Sequence, residues 1–389
     1  MRRYMTIIMA AAVMSIVTVF TVGCGGKYSI DRKDLSKASP WPFSRYQQSA
    51  LGAFPDGSFD GQLNVLWKEG FSGKPAGPMT IVYDALVCPS SKKKVRFYNP
   101  ATGQYLGKLK CKGIPQTGVA VADSLAFYSI APETDKLFAV NLLNSHVIWE
   151  RDIKDAAAGP IIVKNSLFIS SGSGKLYSLA TGTGLDNWTF QADGGLTVSA
   201  SYADGKLYQP GDKGVLYALS EYDGSELFQT TLDGPIASPV AIGDLIYVTD
   251  VTGSVYGLDR ESGLITWKKT IPAPVWTSPV VAGNKVFVGA SGGQVLAMDA
   301  ANGNELWQFD ADEVVKASPV AVGKFVVVGT AGGTLIVLDA ETGTETARTK
   351  LEGSIDFSPV TDGTRVFAAT AKGKITCFGG GNEYSQNRQ

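Results

Sequence analysis

Histidine occurs once in 389 residues, cysteine four times, and charged residues make up only 18% of the chain. Each scarcity excludes something. His146 stands beside an expected turn at Ser145, and with no second His neither a zinc site nor a Ser–His triad is expected. The cysteines form no CxxC and no adjacent pair. With Cys24 set apart, Cys88, Cys111 and Cys377 are an odd number; no disulfide framework is expected, and each reads as a small buried hydrophobe. Basic residues do not outnumber acidic ones. Without the first 23 residues the balance is 33 against 36, which leaves no positive field for nucleic acid.

What is present begins with a targeting pattern. Arg2 and Arg3 precede a largely apolar run from Met5 to Val22, followed by Thr21-Val22-Gly23-Cys24-Gly25-Gly26. This resembles a bacterial lipoprotein signal peptide, residues 1–23, with its lipobox. The resemblance implies cleavage at Gly23 and lipidation of Cys24, hence a membrane anchor. Gly25 stands where an Asp would retain the protein at the inner membrane, so the implied location is the outer membrane, with the body facing the periplasm. An uncleaved membrane helix is the alternative, because the run is near the ~18-residue threshold. Residues 24–60 are polar, contain Pro40, Pro42 and Pro55, and read as a tether. Within them Trp41-Pro42-Phe43-Ser44-Arg45 is more hydrophobic than a pure linker and could pack back on the body. Residues 380–389 read as a polar tail.

The 45 glycines suit many short strands joined by tight turns, and residues 61–379 repeat. Ser-Pro-Val recurs at Ser238, Ser278, Ser318 and Ser358, 40 residues apart; weaker copies at Pro78, Val119, Pro160 and Ala200 make eight. Each copy alternates with a period of two, as in Gly253 to Asp259, then turns and reaches an aromatic, as at Trp267. The turn position holds Gly103, Ser145, Gly184, Gly224, Gly263, Gly303 and Gly343. Four residues later come Gly107, Trp149, Trp188, Phe228, Trp267, Trp307 and Ala347. The last copy stops at Ile375-Thr376-Cys377-Phe378-Gly379 without its turn and outer strand, whereas Leu63-Asn64-Val65-Leu66-Trp67 is an outer strand with nothing before it. An eight-bladed, all-β propeller of four-stranded antiparallel blades is expected, its N-terminal strand completing the last blade. Trp67, Trp149, Trp188, Trp267 and Trp307 are expected to be structural wedges between blades.

The pattern GxVYALDxxTGxxxW, seen at Gly333 to Asp339 with Thr342-Gly343, resembles the pyrroloquinoline-quinone-type propeller repeat. Two groups share it: eight-bladed quinoprotein alcohol dehydrogenases, and the propeller lipoproteins of the outer-membrane β-barrel assembly machinery. Size, lipobox and compact blades are similar to the second, which implies a non-catalytic scaffold with a protein partner and no cofactor. The alternatives are a periplasmic propeller that binds a small ligand such as pyrroloquinoline quinone, and a dehydrogenase-like enzyme. The dehydrogenase group implies an adjacent Cys–Cys pair, calcium-binding carboxylates and a catalytic Asp in long inserted loops, none of which can be placed here. Asp259, Asp299 and Asp339 recur in the frame as turn formers. Gly172-Ser173-Gly174-Lys175 precedes a strand and lacks phosphate-loop spacing, so it reads as a hairpin.

Three residues before each Pro position the copies stop agreeing: Pro75, Gln116, Ala157, Thr197, Ile236, Trp276, Lys316 and Asp356. Positions that vary within a frame are free of packing duty, and these should ring one mouth of the central channel. Trp276, Lys316 and Asp356, consecutive in the frame, supply an aromatic face, a cation and an anion; they are the candidate binding rim. A solvated rim with a charge pair is the competing reading.

Overall fold

In a computed structural model of the protein, residues 52–115, 117–130, 135–237 and 239–380 are described. The signal peptide, Cys24, the tether to Leu51, Gln116, Ser238 and the tail after Gly380 lie outside the described residues. The repeats fold into eight sheets around a ring, and the repeat strands of each run from the axis outward in sequence order, with blade 8 completed from the other end of the chain. Blades 1 to 7 span residues 80–110, 120–152, 161–191, 201–231, 240–270, 280–310 and 320–350. Blade 8 takes three strands from 360–379 and its outer strand, Asn64–Gly70, from the N-terminal end. That strand pairs antiparallel with Lys374–Gly379 and sets Trp67 opposite Cys377. The expected closure is therefore present.

Burial follows position within a blade. The third strand of blade 5, Ser254–Asp259, is buried on both faces along most of its length, because neighbouring sheets cover it on both sides. The outer strand, Ile265–Thr270, buries little beyond Trp267. The apolar core consists of clusters between facing sheets, as where Phe287 and Val295 of blade 6 meet Val326 and Ile336 of blade 7.

A β-bulge sits at the same place in all eight outer ladders. In blade 3, Ser178 faces Trp188 and Leu179 faces Asp186, so Asn187 is the extra residue. Blade 8 has it between Val65 and Trp67, although its strands lie some 300 residues apart in the chain. A bulge bends its strand and re-aims the side chain beside it. In five of the eight that side chain is a tryptophan, which reaches the next blade.

There each ring meets the turn glycine. A Cβ added to Gly184 would lie 2.7 Å from Trp149, and the same close approach pairs Trp67 with Gly103, Trp188 with Gly224, Trp267 with Gly303 and Trp307 with Gly343. These glycines hold φ between 70 and 72, so they are needed twice, for the left-handed backbone and for the missing Cβ. Each indole Nε1–H then donates to a carbonyl of the same turn: Trp67 to Pro100 at 3.0 Å, Trp149 to Thr181 at 2.8 Å, Trp188 to Glu221 at 3.0 Å, Trp267 to Ala300 and Trp307 to Ala340 at 3.1 Å. Between blades 4 and 5 Phe228 replaces the indole against Gly263, and the Thr230 hydroxyl donates to the Gly263 carbonyl at 2.7 Å.

The body begins before Gly61. Ala53–Phe54 pairs in parallel with Val320–Val322, the innermost strand of blade 7, on the side facing the axis. The Ala321 amide donates to the Gly52 carbonyl and the Gly323 amide to the Phe54 carbonyl, both at 2.9 Å. Ala53 is buried beside Val280 and Ala321. The chain then turns back, lays Phe59 edge-on to Phe325 at 5.9 Å, and donates the Phe59 amide to the Gly363 carbonyl at 3.0 Å. The last nine residues of the stretch read as tether thus belong to the ring, because Ala53 and Phe59 supply apolar surface that the axis and the blade 7–8 junction bury.

Candidate binding rim

The ring has two faces. The connections from one blade's outer strand to the next blade's inner strand lie on one, the crossover face, together with the hairpins between second and third strands; the remaining hairpins lie on the other, the hairpin face. On the crossover face the Ser–Pro steps lace neighbouring blades together around the channel. The Ser278 amide donates to Ser318 Oγ at 2.9 Å, and Ser199 Oγ donates to the Gly159 carbonyl at 3.0 Å.

The residues just before these steps alternate in and out. Val275, Val315 and Ile355 are fully buried, and Thr277 is locked inward by its hydroxyl on the Gly289 carbonyl at 2.8 Å. Trp276, Lys316 and Asp356, between those buried residues and the Ser–Pro steps, point outward; Trp276 is 58% exposed. They stand on the three consecutive connections that lead into blades 6, 7 and 8. Lys316 and Asp356 do not pair with each other; among the described residues Lys316 makes no ion pair, and Asp356 accepts a hydrogen bond from Ser354 Oγ at 3.0 Å. The rim is thus solvated, as the competing reading has it, but without the charge pair.

The ring of variable positions is incomplete. Thr197 is exposed, Pro75 and Ala157 are half-buried, and Ile236 is buried. The reason lies in the spacing: Ala200 to Pro239 is one residue shorter than the later repeats, so Ile236 slides into the inward place that Val275 holds in the next connection. Beside the Lys316 connection, the Lys350 ammonium at 2.5 Å and the Thr330 hydroxyl hold the Glu313 carboxyl down at about 2.

Other residues singled out from the sequence have structural partners. Asp259 Oδ1 accepts the amides of Glu261 and Ser262 at 3.2 and 2.8 Å and the Ser262 hydroxyl at 2.6 Å, and these bonds lower its carboxyl below the ordinary range. Asp299 and Asp339 cap the corresponding turns, on the amides of Ala301 and Glu341 at 2.9 and 3.0 Å. Gly172 to Lys175 is a hairpin, with the Gly174 amide on the Ser171 carbonyl at 2.9 Å. His146 is exposed at the start of an outer strand. Cys88 and Cys377 are buried and free, and burial pushes both thiols up; Cys111, half-buried, is raised to about 12.

A family model described as outer membrane protein assembly factor BamB matches residues 61–198 and 213–379. The chain belongs to that family. BamB of Shewanella oneidensis is 26% identical over a stretch covering 53% of this chain and 55% of that protein, so the match spans about half of that relative's length. The crystal structure of BamB from Moraxella catarrhalis superposes with a TM-score of 0.72 at 17% identity, over 82% of this chain and the whole of that one. A europium-containing methanol dehydrogenase superposes as well, with a TM-score of 0.75 at 12% identity over 90% of this chain. The ring alone therefore does not separate BamB proteins from dehydrogenases; the family is shown by the sequence match.

The residues present do not supply a ligand set for the metal ion that would accompany pyrroloquinoline quinone: among the described residues no three His, Cys, Asp or Glu side chains converge. Beside blades 6 and 7, Ala53–Phe54 lines the axis.

Proposed function

We propose that this protein is a non-catalytic propeller lipoprotein that presents its faces to protein partners in outer-membrane protein assembly. The family match along most of the ring carries this reading. The side-chain chemistry supports it from the other direction, since the recurring Asp residues are committed to turn amides and the tryptophans to neighbouring turns. In this reading Cys24 is the lipidated N-terminus and the body faces the periplasm from the outer membrane. The connections between blades are short, as at 271–279, so docking residues are not assigned to them by analogy.

Crosslinking in intact envelopes, with the lipidated chain as bait, tests the reading. The expected capture is the β-barrel protein of the assembly machinery, identified by mass spectrometry, and Cys24→Ser should release the bait to the soluble fraction and lower that capture. A bait that captures no assembly component, or purified protein that oxidises an alcohol when given pyrroloquinoline quinone and calcium, would reject it.

A further inference from the structure

The short strand on the axis fixes where the chain comes from. Its pairing with Val320–Val322 is parallel, so the chain reaches Ala53 from the end of that strand nearest Ser318 and Pro319, on the crossover face. Gly52, at φ 52, bends the backbone as it joins the ladder and is itself buried. The strand lies against the inner strands of blades 6 and 7. Trp276, Lys316 and Asp356 stand on the connections into blades 6, 7 and 8, on the face from which the chain goes in.

The preceding residues suit that rim. Trp41 to Leu51 carries Trp41, Phe43, Tyr46 and Leu51 with a single charge, Arg45, whereas the eight residues from Lys33 to Pro40 hold no aromatic at all. An extended stretch of this length spans at most roughly 35 Å, enough to cross a channel mouth. Exposed Trp276 offers an apolar face and Asp356 an anion for the guanidinium, and Lys316 lacks an ionic partner among the described residues.

We propose that the crossover mouth of the channel is a docking site for the protein's own residues 41–51, which seat on Trp276 and Asp356 before the chain threads the ring and emerges on the hairpin face. The ring thereby encloses its own tether. Outside partners then meet a rim already covered around blades 6 to 8.

Thiol labelling of the full chain in detergent tests this against a sharp background, because Cys88 and Cys377 are buried and Cys111 holds its proton to about 12. Asp356→Cys should react with a maleimide several-fold more slowly in the full chain than in one lacking residues 41–50. Ala301→Cys, on the hairpin face, should react equally in both. With Ser49→Cys in place, mild oxidation should form a disulfide with Lys316→Cys and none with Ala301→Cys. Equal labelling of Asp356→Cys in the two chains, labelling that stays slow after the deletion, or preferential coupling of Ser49→Cys to Ala301→Cys would each overturn the proposal. The bait experiment above is independent of these readouts: the tether can dock on the rim whether or not the protein works in assembly.

Discussion

Trp149 and Gly107 hold the same place in neighbouring blades and do opposite things. Trp149 passes its ring to blade 3, where Gly184 receives it; Gly107 offers no ring to blade 2, and the matching turn there has Ser145 in place of glycine. Ser145 keeps the same left-handed backbone, with φ 60, at the strain cost any side chain meets there. Ring and glycine are therefore one unit, spread over two blades and 35 residues of sequence. Blade 7 gives the same lesson from the other side. Its frame position is Ala347, and blade 8, interrupted at that point by the two ends of the ring, has no turn to receive an indole; Phe54, Leu63 and Ala347 pack there instead.

Removing the junction that closes the ring should do the most damage. Deleting residues 25–68 takes away the axial strand and most of Asn64–Gly70, leaving Lys374–Gly379 as a bare edge; loss of the cooperative melt and aggregation are expected. Deleting only 27–50 should leave the melt close to the parent's. A parent-like melt after the larger deletion would show that the closing strand holds nothing. Truncating the ring within a junction is the next step down. Trp67→Ala should cost about 3–5 kcal/mol in chemical denaturation, and Trp307→Ala a similar amount, if closure uses the same lock as an ordinary junction. A Trp67→Ala cost well below that of Trp307→Ala would make the closure a weaker seam.

The unit itself is sharpened by a double-mutant cycle. Gly184→Ser should cost about 2–4 kcal/mol, from left-handed strain and overpacking against Trp149. In a Trp149→Gly background only the strain remains, and the cost should fall to about 1–2 kcal/mol, the state that Ser145 and Gly107 already occupy. Equal costs in both backgrounds would mean that ring and glycine are independent. The smallest effect concerns pH. Glu313 titrates in the folded protein at about 2, below its ordinary 4.5, so its contribution is complete above pH 4.5 and is lost as the pH falls toward 2. Glu313→Gln should therefore flatten the fall in Tm over that interval, and an unchanged slope would remove the Glu313–Lys350 contact from the account.

The ring was legible because its signals are local and repeated: period-two alternation, turn glycines at fixed offsets, and an outer strand missing at one end and supernumerary at the other. The aromatic positions were legible too, but their partners were not paired with them, since a tryptophan and its glycine belong to different copies of the repeat. The signal was nonetheless there, in the coincidence of Gly107 with Ser145. Ala53–Phe54 gave no such sign. Two residues carry no periodicity, and their burial depends on an axis assembled from strands more than 200 residues away. Ile236 falls on the rim only at a constant offset from Pro239; the shortened connection moves the inward place by one and buries it.

The outer strand of blade 8 also sets a clock. Asn64–Gly70 is among the first parts of the ring to be made and its partner, Lys374–Gly379, the last. Some 300 residues separate them, so seven blades can assemble in order while the strand nearest the N-terminus waits without a ladder, an edge open to any other chain that offers one. The fold is therefore finished in a single late event, when the final strand of the chain finds the first.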